Sequence, residues 1–251
     1  MYDHHTKQKG ETMEEVRIQK YISTLGVMSR RAAEKEIESG NIKINGEIAE
    51  LGQKIIPGKD RVTYKGKVLK PARNEHRVYV MLNKPRGYVT TLSDERERKC
   101  VAELITDVGT RVYPVGRLDM DSEGLLLFTN DGDLANKLTH PKHHIPKIYH
   151  VKIKGNVTPS QFKNLQKPMT IDGYEIQPVA CEIVERKEKY TTIRMELYEG
   201  RNRQIRKMCE QCELEISRLK RVAIGDITLD KLPIGKWKYL TREQVEYLKN
   251  S

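Results

Sequence analysis

The chain has 251 residues, enough for one large or two modest domains, each able to bury its own apolar core. Lys and Arg number 46 against 35 Asp and Glu, a net charge of +11, so a polyanion is the expected large partner. Aromatic residues make up only 6%, which argues against binding through many stacked bases and leaves phosphate contacts and shape to carry most of the affinity.

No positively charged head followed by an apolar segment opens the chain, and no apolar run approaches the length of a membrane span. The expectation is a cytoplasmic protein with no membrane partner. Residues 1–13 are polar and without periodicity and read as a disordered tail, with Met1 and Met13 both open as the native start.

From Val16, the residues Ile18, Ile22 and Leu25 recur at helical spacing until Gly26 stops the pattern. A second helix follows, with Ser29 as N-cap, Arg30 to Glu38 as its body, Ala33 and Ile37 facing inward and Gly40 as the stop. Asn41 to Ile44 alternates as a strand, Asn45-Gly46 is a type I′ hairpin signal, and Glu47 to Ala49 returns. The small sheet ends near Tyr64, before a turn at Lys65-Gly66. Arg30, Arg31, Lys35 and Lys43 fall on or beside the second helix and the hairpin, a basic balance that suits a phosphate backbone but would also describe a solvated face. Val68 to His76, with Pro71, reads as a linker.

Beyond it, Val78 to Leu82 is a strand, and Asn83-Lys84-Pro85-Arg86-Gly87 is a turn whose two cations are expected to face outward. Cys100 to Ile105 is a short helical pattern and Arg111 to Val115 a strand. This strand delivers the chain to Gly116-Arg117-Leu118-Asp119, followed by Ser122-Glu123-Gly124 and the apolar run Leu125 to Phe128. A carboxylate in a loop anchored by a buried strand is a candidate for chemistry; it is equally an ordinary acidic turn. A turn at residues 129–132 precedes a helix carrying Leu134, Ala135 and Leu138, which Asp133 could cap and Pro141 ends.

Lys147 to Lys154 alternates with Tyr149, Val151 and Ile153 on one face, so Tyr149 is open to core or site. Thr158-Pro159 starts a helix to Leu165, Val179 to Val184 and Thr192 to Tyr198 are strands, and Arg201 to Gln211 is a helix. On that helix Ile205, Met208 and Cys212 pack inward, while Arg203, Arg206 and Lys207 cluster at i, i+3, i+4 spacing and call for something negative. Ser217 to Val222 and Ile227 to Leu229 are further strands, and Thr241 with Gln244 caps a final helix through Leu248. Cys209 and Cys212 form a C-x-x-C pair for which His140, His143, His144 and His150 are the nearest dense source of further zinc ligands; an apolar helix face is the simpler reading, and no metal site is assigned. No Walker loop, G-x-S-x-G or H-E-x-x-H occurs.

An aspartate is ionised at neutral pH and needs no general base to act as a nucleophile, only a pocket and a cation to hold it, which Arg203 or Arg206 could supply. A plain buried ion pair would look the same in sequence.

The order R-I-Q-K-Y-I, S-R-R-A-A-E-K-E-I-E-S-G and I-K-I-N-G from Val16 to Tyr64 resembles the S4-type RNA-binding domain. The segments N-K-P-R-G, G-R-L-D-M-D-S-E-G-L-L-L-F-T-N-D-G-D-L-A-N-K-L, K-I-Y-H-V and G-R-N-R-Q-I-R-K-M resemble the RsuA/RluB/RluE/RluF group of bacterial ribosomal RNA pseudouridine synthases, with wording closest to the RluB type. The resemblance implies an α+β fold: an S4-type RNA-binding domain over residues 14–67, a linker at 68–76, and a catalytic domain over 77–251 built on a mixed, mainly antiparallel sheet with flanking helices.

It further implies that Asp119 is the catalytic aspartate, attacking uracil or ribose, that Tyr149 stacks against the flipped base, and that Arg206 is the basic residue paired with the aspartate. Arg117 would help hold the RNA, with Arg30, Arg31, Lys43, Lys84, Arg86, Arg203 and Lys207 as further RNA contacts. The partner implied is ribosomal RNA, 23S rather than 16S, bound by a monomer without cofactors. Relatives usually carry a glycine-containing turn after the M-C-E segment, where this chain has Gln211-Cys212-Glu213-Leu214. A non-catalytic ribosome-assembly factor that binds RNA, and a metal-dependent nuclease using Asp119, Asp121, Asp131 and Asp133, are the rival readings.

Overall fold

The computed structural model describes residues 14–70, 76–140 and 145–251. They form two compact units that divide between His76 and Arg77.

In the first unit, β1 (Val16–Arg17) leads into α1 (Ile18–Thr24) and α2 (Arg30–Glu38), followed by β2 (Ile42–Ile44), β3 (Glu47–Ile48), β4 (Lys54–Ile55), β5 (Val62–Tyr64) and β6 (Lys67–Val68). Ser29 caps α2 by accepting a hydrogen bond at 3.1 Å from the Ala32 amide. Asn45 and Gly46 take φ of 53° and 99°, both positive as a type I′ hairpin requires. The sheet order is β3-β2-β5-β6, and Ile18, Ile22, Ala33, Ile37, Ile42 and Val62 fill the core beneath it. Arg30, Arg31 and Lys43 are exposed, Lys43 because it alternates with the buried Ile42 and Ile44. Strand pairing runs past Tyr64: Lys65 and Gly66 both turn left-handed, so that Val68, which sequence assigns to the linker, pairs with Thr63, and Leu69 packs on the core.

The second unit contains β7 (Tyr79–Lys84), a single 3-10 turn at Val101–Leu104, β8 (Tyr113–Val115), β9 (Glu123–Thr129), α3 (Gly132–Thr139), β10 (Lys147–Lys154) and α4 (Pro159–Leu165). It continues with β11 (Met169–Ile171), β12 (Tyr174–Ile176), β13 (Ala180–Lys187), β14 (Tyr190–Leu197), α5 (Gln204–Gln211), β15 (Ile216–Ile224), β16 (Ile227–Thr228), β17 (Trp237–Tyr239) and α6 (Arg242–Asn250). Nine strands make one sheet in the order β13-β14-β10-β15-β9-β7-β17, with β16 on β15 and β8 on β9; β15 and β9 are parallel and the other pairs antiparallel.

Every residue of β9 is buried because its two faces meet different clusters. Leu125 and Leu127 pack with Leu134, Leu138 and Leu248 from α3 and α6, while Leu126 and Phe128 pack with Val80, Leu82 and Val101. A third cluster joins Val151, Ile153 and Ile193 of the sheet to Ile205, Met208, Cys209 and Cys212 on and just after α5, so both thiols of the C-x-x-C pair are core side chains. Burial pushes the Cys209 thiol up to about 12, which removes its nucleophilicity. Of the histidines considered as zinc ligands, His143 and His144 lie outside the described residues, as does Pro141.

Gly124 sits where β9 meets β15: its φ is 108°, and a Cβ there would lie 2.1 Å from the Arg221 carbonyl oxygen. Capping boxes start α4 at Thr158 and α6 at Thr241. Helix α3 begins two residues earlier than expected and is capped by Asp131, not Asp133; the Asp131 carboxylate accepts from the Leu134 amide at 3.1 Å and also from Arg77 and Tyr79. The β11–β12 hairpin and β17 are additional to the strands read from sequence. Among the described residues no helix is long and apolar enough to cross a membrane.

Candidate active site

The loop from Gly116 to Ser122 is fixed mainly through its backbone. Leu118 is buried, its amide donates to Thr90 Oγ1 at 3.2 Å, and Thr90 returns a bond to the Leu118 carbonyl at 2.6 Å. The Gly87 amide donates to the Met120 carbonyl at 2.7 Å, and the Ser122 amide to that of Asp119 at 3.1 Å.

Beneath the loop lies Lys84, whose position corrects the expectation of an outward-facing, RNA-binding cation. Strand β7 continues through Lys84, which carries it into the interior, 0% exposed. Its ammonium donates to the carbonyls of Ser122 at 2.8 Å, Asp119 at 2.9 Å and Pro85 at 3.2 Å. Burial pulls its pKa down to about 8, against the opposing pull of Asp119, Asp121 and Glu123. Its ammonium is thus turned inward onto backbone carbonyls, two of them in the Asp119 loop.

Asp119 opens into a cleft of about 400 Å³ walled by Arg117, Tyr149, Leu197, Leu219 and the segment from Glu199 to Ile205. Its carboxylate is about one-third exposed (35%), and Arg203 Nη1 stands 3.8 Å from Oδ2. Tyr149 resolves the choice between core and site by serving both: it is half-buried on β10, packs against two apolar clusters and lines the cleft. Arg117 is exposed at the rim.

The expected pairing of Arg206 with Asp119 is not what the side chains do, because Asp121 takes both arginines. Arg206 Nη2 donates to the Asp121 carbonyl at 3.0 Å and to Ser122 Oγ at 3.2 Å, and approaches Asp121 Oδ1 at 3.1 Å. Arg203 meets the same carboxylate through two nitrogens, at 3.3 and 3.2 Å. Burial pushes the Asp121 carboxyl up, but the Arg203 hydrogen bonds and the Arg206 charge outweigh it, leaving the group below its ordinary value. Arg206 is pulled below its ordinary value by burial, against Asp121. Arg203 precedes α5 as a left-handed cap, φ 53°, a conformation costly for a side-chain-bearing residue and frequent at functional sites. Sequence spacing puts Arg203 inside the helix and offers Asp121 only as a metal ligand; its two-residue offset from Asp119 is the available signal.

The other expected RNA contacts are dispersed. Lys207 pairs with Asp172, Arg86 is exposed and donates to the Ser217 carbonyl at 3.3 Å, and Arg30, Arg31 and Lys43 belong to the first unit. What the cleft offers is a carboxylate on a rigid backbone, an aromatic wall, apolar side chains and a ring of guanidinium groups. Such a combination fits a flat base attached to a phosphate chain.

Comparison with known proteins identifies the family. Residues 78–211 match the family described as RNA pseudouridylate synthase, and residues 16–62 match the S4 domain. An uncharacterized RNA pseudouridine synthase of Aquifex aeolicus is 41% identical over 94% of this chain and 94% of its own length. The ribosomal large subunit pseudouridine synthase B of Bacillus subtilis is 39% identical over 93% of this chain and 95% of its own. The dual-specificity RNA pseudouridine synthase RluF of Escherichia coli K12 is 37% identical, covering 92% and 77%. A crystal structure of a pseudouridylate synthase superposes with a TM-score of 0.66 at 29% identity, over 93% of this chain and 99% of that one. The chain belongs to the RNA pseudouridylate synthase family, in the group that carries an S4 domain ahead of the catalytic sheet.

Proposed function

We propose that this enzyme isomerises one uridine of 23S ribosomal RNA to pseudouridine with Asp119 as nucleophile. The observation that carries the reading is Asp119 itself, a carboxylate on a backbone pinned by Lys84 and Thr90, opening into a cleft walled by Tyr149. The Asp119 carboxylate attacks the target nucleoside, the bond between ribose C1′ and uracil N1 breaks, the base turns, C5 bonds to C1′, the bond to Asp119 breaks again, and the C5 proton leaves while N1 takes one up. Substrate and product are isomers, so the atoms balance without a cofactor.

Tyr149 stacks on the flipped base, Arg117 at the rim holds the RNA backbone, and Arg203 and Arg206 neutralise charge beside the two carboxylates. Flipping costs a few kcal/mol and least for an unpaired base, which favours a target in a loop or distorted helix. The S4-type domain at residues 14–67 supplies phosphate contacts through Arg30, Arg31 and Lys43, and residues 77–251 carry the chemistry, in a cytoplasmic monomer. The choice of 23S RNA is supported by the name of the large-subunit relative.

The test is to incubate the protein with deproteinised large-subunit RNA lacking the modification and to map pseudouridine by carbodiimide primer-extension stops. One new stop that requires the protein is expected. Binding without any new stop would leave an RNA-binding assembly factor as the better reading, and strand cleavage dependent on a divalent cation would favour the nuclease.

A further inference from the structure

Tyr174 lies at the start of β12, 49% exposed, with the Arg201 guanidinium carbon 3.1 Å above its ring centre. The pair is held from several directions. The hairpin bearing Tyr174 is tied to α5 by Lys207 on Asp172 and by Gln211 Nε2 donating to the Thr170 carbonyl at 2.9 Å. The Arg201 amide donates to Gln204 Oε1 at 3.1 Å, and Arg201 Nε approaches Glu199 Oε2 at 3.4 Å. Arg201 lines the Asp119 cleft and Tyr174 does not, so the ring stacks on the guanidinium of a residue that borders the cleft. A planar cation backed by an aromatic ring, beside a cleft for a flipped base, is a stacking surface in a chain otherwise poor in aromatics.

We propose that the Arg201–Tyr174 pair is a platform on which the RNA base adjacent to the target uridine stacks, forming a base–guanidinium–tyrosine sandwich that contributes to substrate selection without touching the reacting atoms. This rests on the pseudouridine synthase reading of the same cleft. Splaying the target uridine out of its strand unstacks its neighbour, and the platform replaces part of the lost stacking. The Glu199 carboxylate keeps the guanidinium plane oriented.

The experiment compares wild type, Tyr174→Ala, Tyr174→Phe and Arg201→Ala on in vitro transcribed large-subunit RNA labelled with [5-³H]uridine. Affinity is read by filter binding, and single-turnover tritium release at saturating enzyme reads the chemistry. Tyr174→Ala and Arg201→Ala are expected to weaken binding about tenfold, Tyr174→Ala with the saturating rate within about twofold of wild type, and Tyr174→Phe to restore affinity. Unchanged affinity in Tyr174→Ala would overturn the platform, as would a lowered saturating rate that phenylalanine does not rescue. Wild-type protein that binds this RNA but releases no tritium would refute the synthase reading and the platform with it, whereas tritium release by wild type with unchanged affinity in Tyr174→Ala would overturn the platform alone.

Discussion

Replacing Lys84 with methionine keeps the stem and volume of the side chain but removes the ammonium that joins the carbonyls of Pro85, Asp119 and Ser122. Each hydrogen bond from a charged donor contributes about 1.5–3 kcal/mol. Against them stands the penalty of burying the charge, read from a pKa lowered from 10.5 to about 8, which corresponds to about 3 kcal/mol. The balance predicts that Lys84→Met loses roughly 1.5–6 kcal/mol of stability at pH 7.

The pH dependence has a definite sign. Between the folded pKa near 8 and the ordinary lysine value the unfolded chain binds more protons, so wild-type stability rises with pH across that interval relative to the variant. Below pH 8 the burial penalty is fully present. With two loop carbonyls released, Asp119 loses its fixed placement, and the single-turnover rate at saturating RNA should fall about 10²-fold. Urea denaturation at pH 7 and pH 10, with tritium release as the activity readout, measures all three effects. A methionine variant as stable and as active as wild type would refute the role assigned to Lys84.

Asp121→Asn leaves Arg203 and Arg206 without their shared carboxylate. It should cost about 1 kcal/mol, a modest figure because the side chain is about a third exposed and screened. Since the wild-type carboxyl is held below its ordinary value, the stability it contributes is present above that value and disappears as pH falls through the lowered one; urea midpoints of the two proteins should therefore converge in acid. Glu213 occupies the left-handed position after α5 with φ 55°, where the Leu214 amide bonds the Cys209 carbonyl and the Glu213 amide that of Glu210. Glu213→Gly should raise stability by about 0.5–1 kcal/mol, seen as a higher thermal midpoint. Arg30 and Arg31 replaced together by alanine should weaken RNA binding and flatten the slope of log affinity against log salt by about one to two, leaving the saturating rate intact; an unchanged slope would remove the two arginines from the interface.

The elements legible in sequence were those with local chemistry. Ser29, Asn45-Gly46, Thr158-Pro159 and Thr241 each declare a cap or turn through their own side chains, and the structure starts or turns the chain at those residues. The cleft partners Asp119, Tyr149 and Arg203 could be named because the motifs around them are long. What sequence could not supply was direction. Lys84 looks like a turn cation until β7 is extended by pairing with β9, and the burial that follows is a tertiary fact. The division of labour between Asp119 and Asp121 likewise depends on which carboxylate lies nearer the arginines at the start of α5. Residues 169–176 carry too short an alternation to stand out, yet they form the hairpin that positions Tyr174.

The proposed isomerisation depends on Asp119 as its nucleophile. Its most direct test is tritium release from [5-³H]uridine-labelled large-subunit RNA by wild type and Asp119→Asn, at enzyme concentrations shown by filter binding to saturate the RNA. The expected result is a rate at least about 10³-fold lower in the asparagine variant, with RNA affinity and thermal midpoint close to those of wild type. A folded, RNA-saturated Asp119→Asn protein releasing tritium within about tenfold of the wild-type rate would contradict the account.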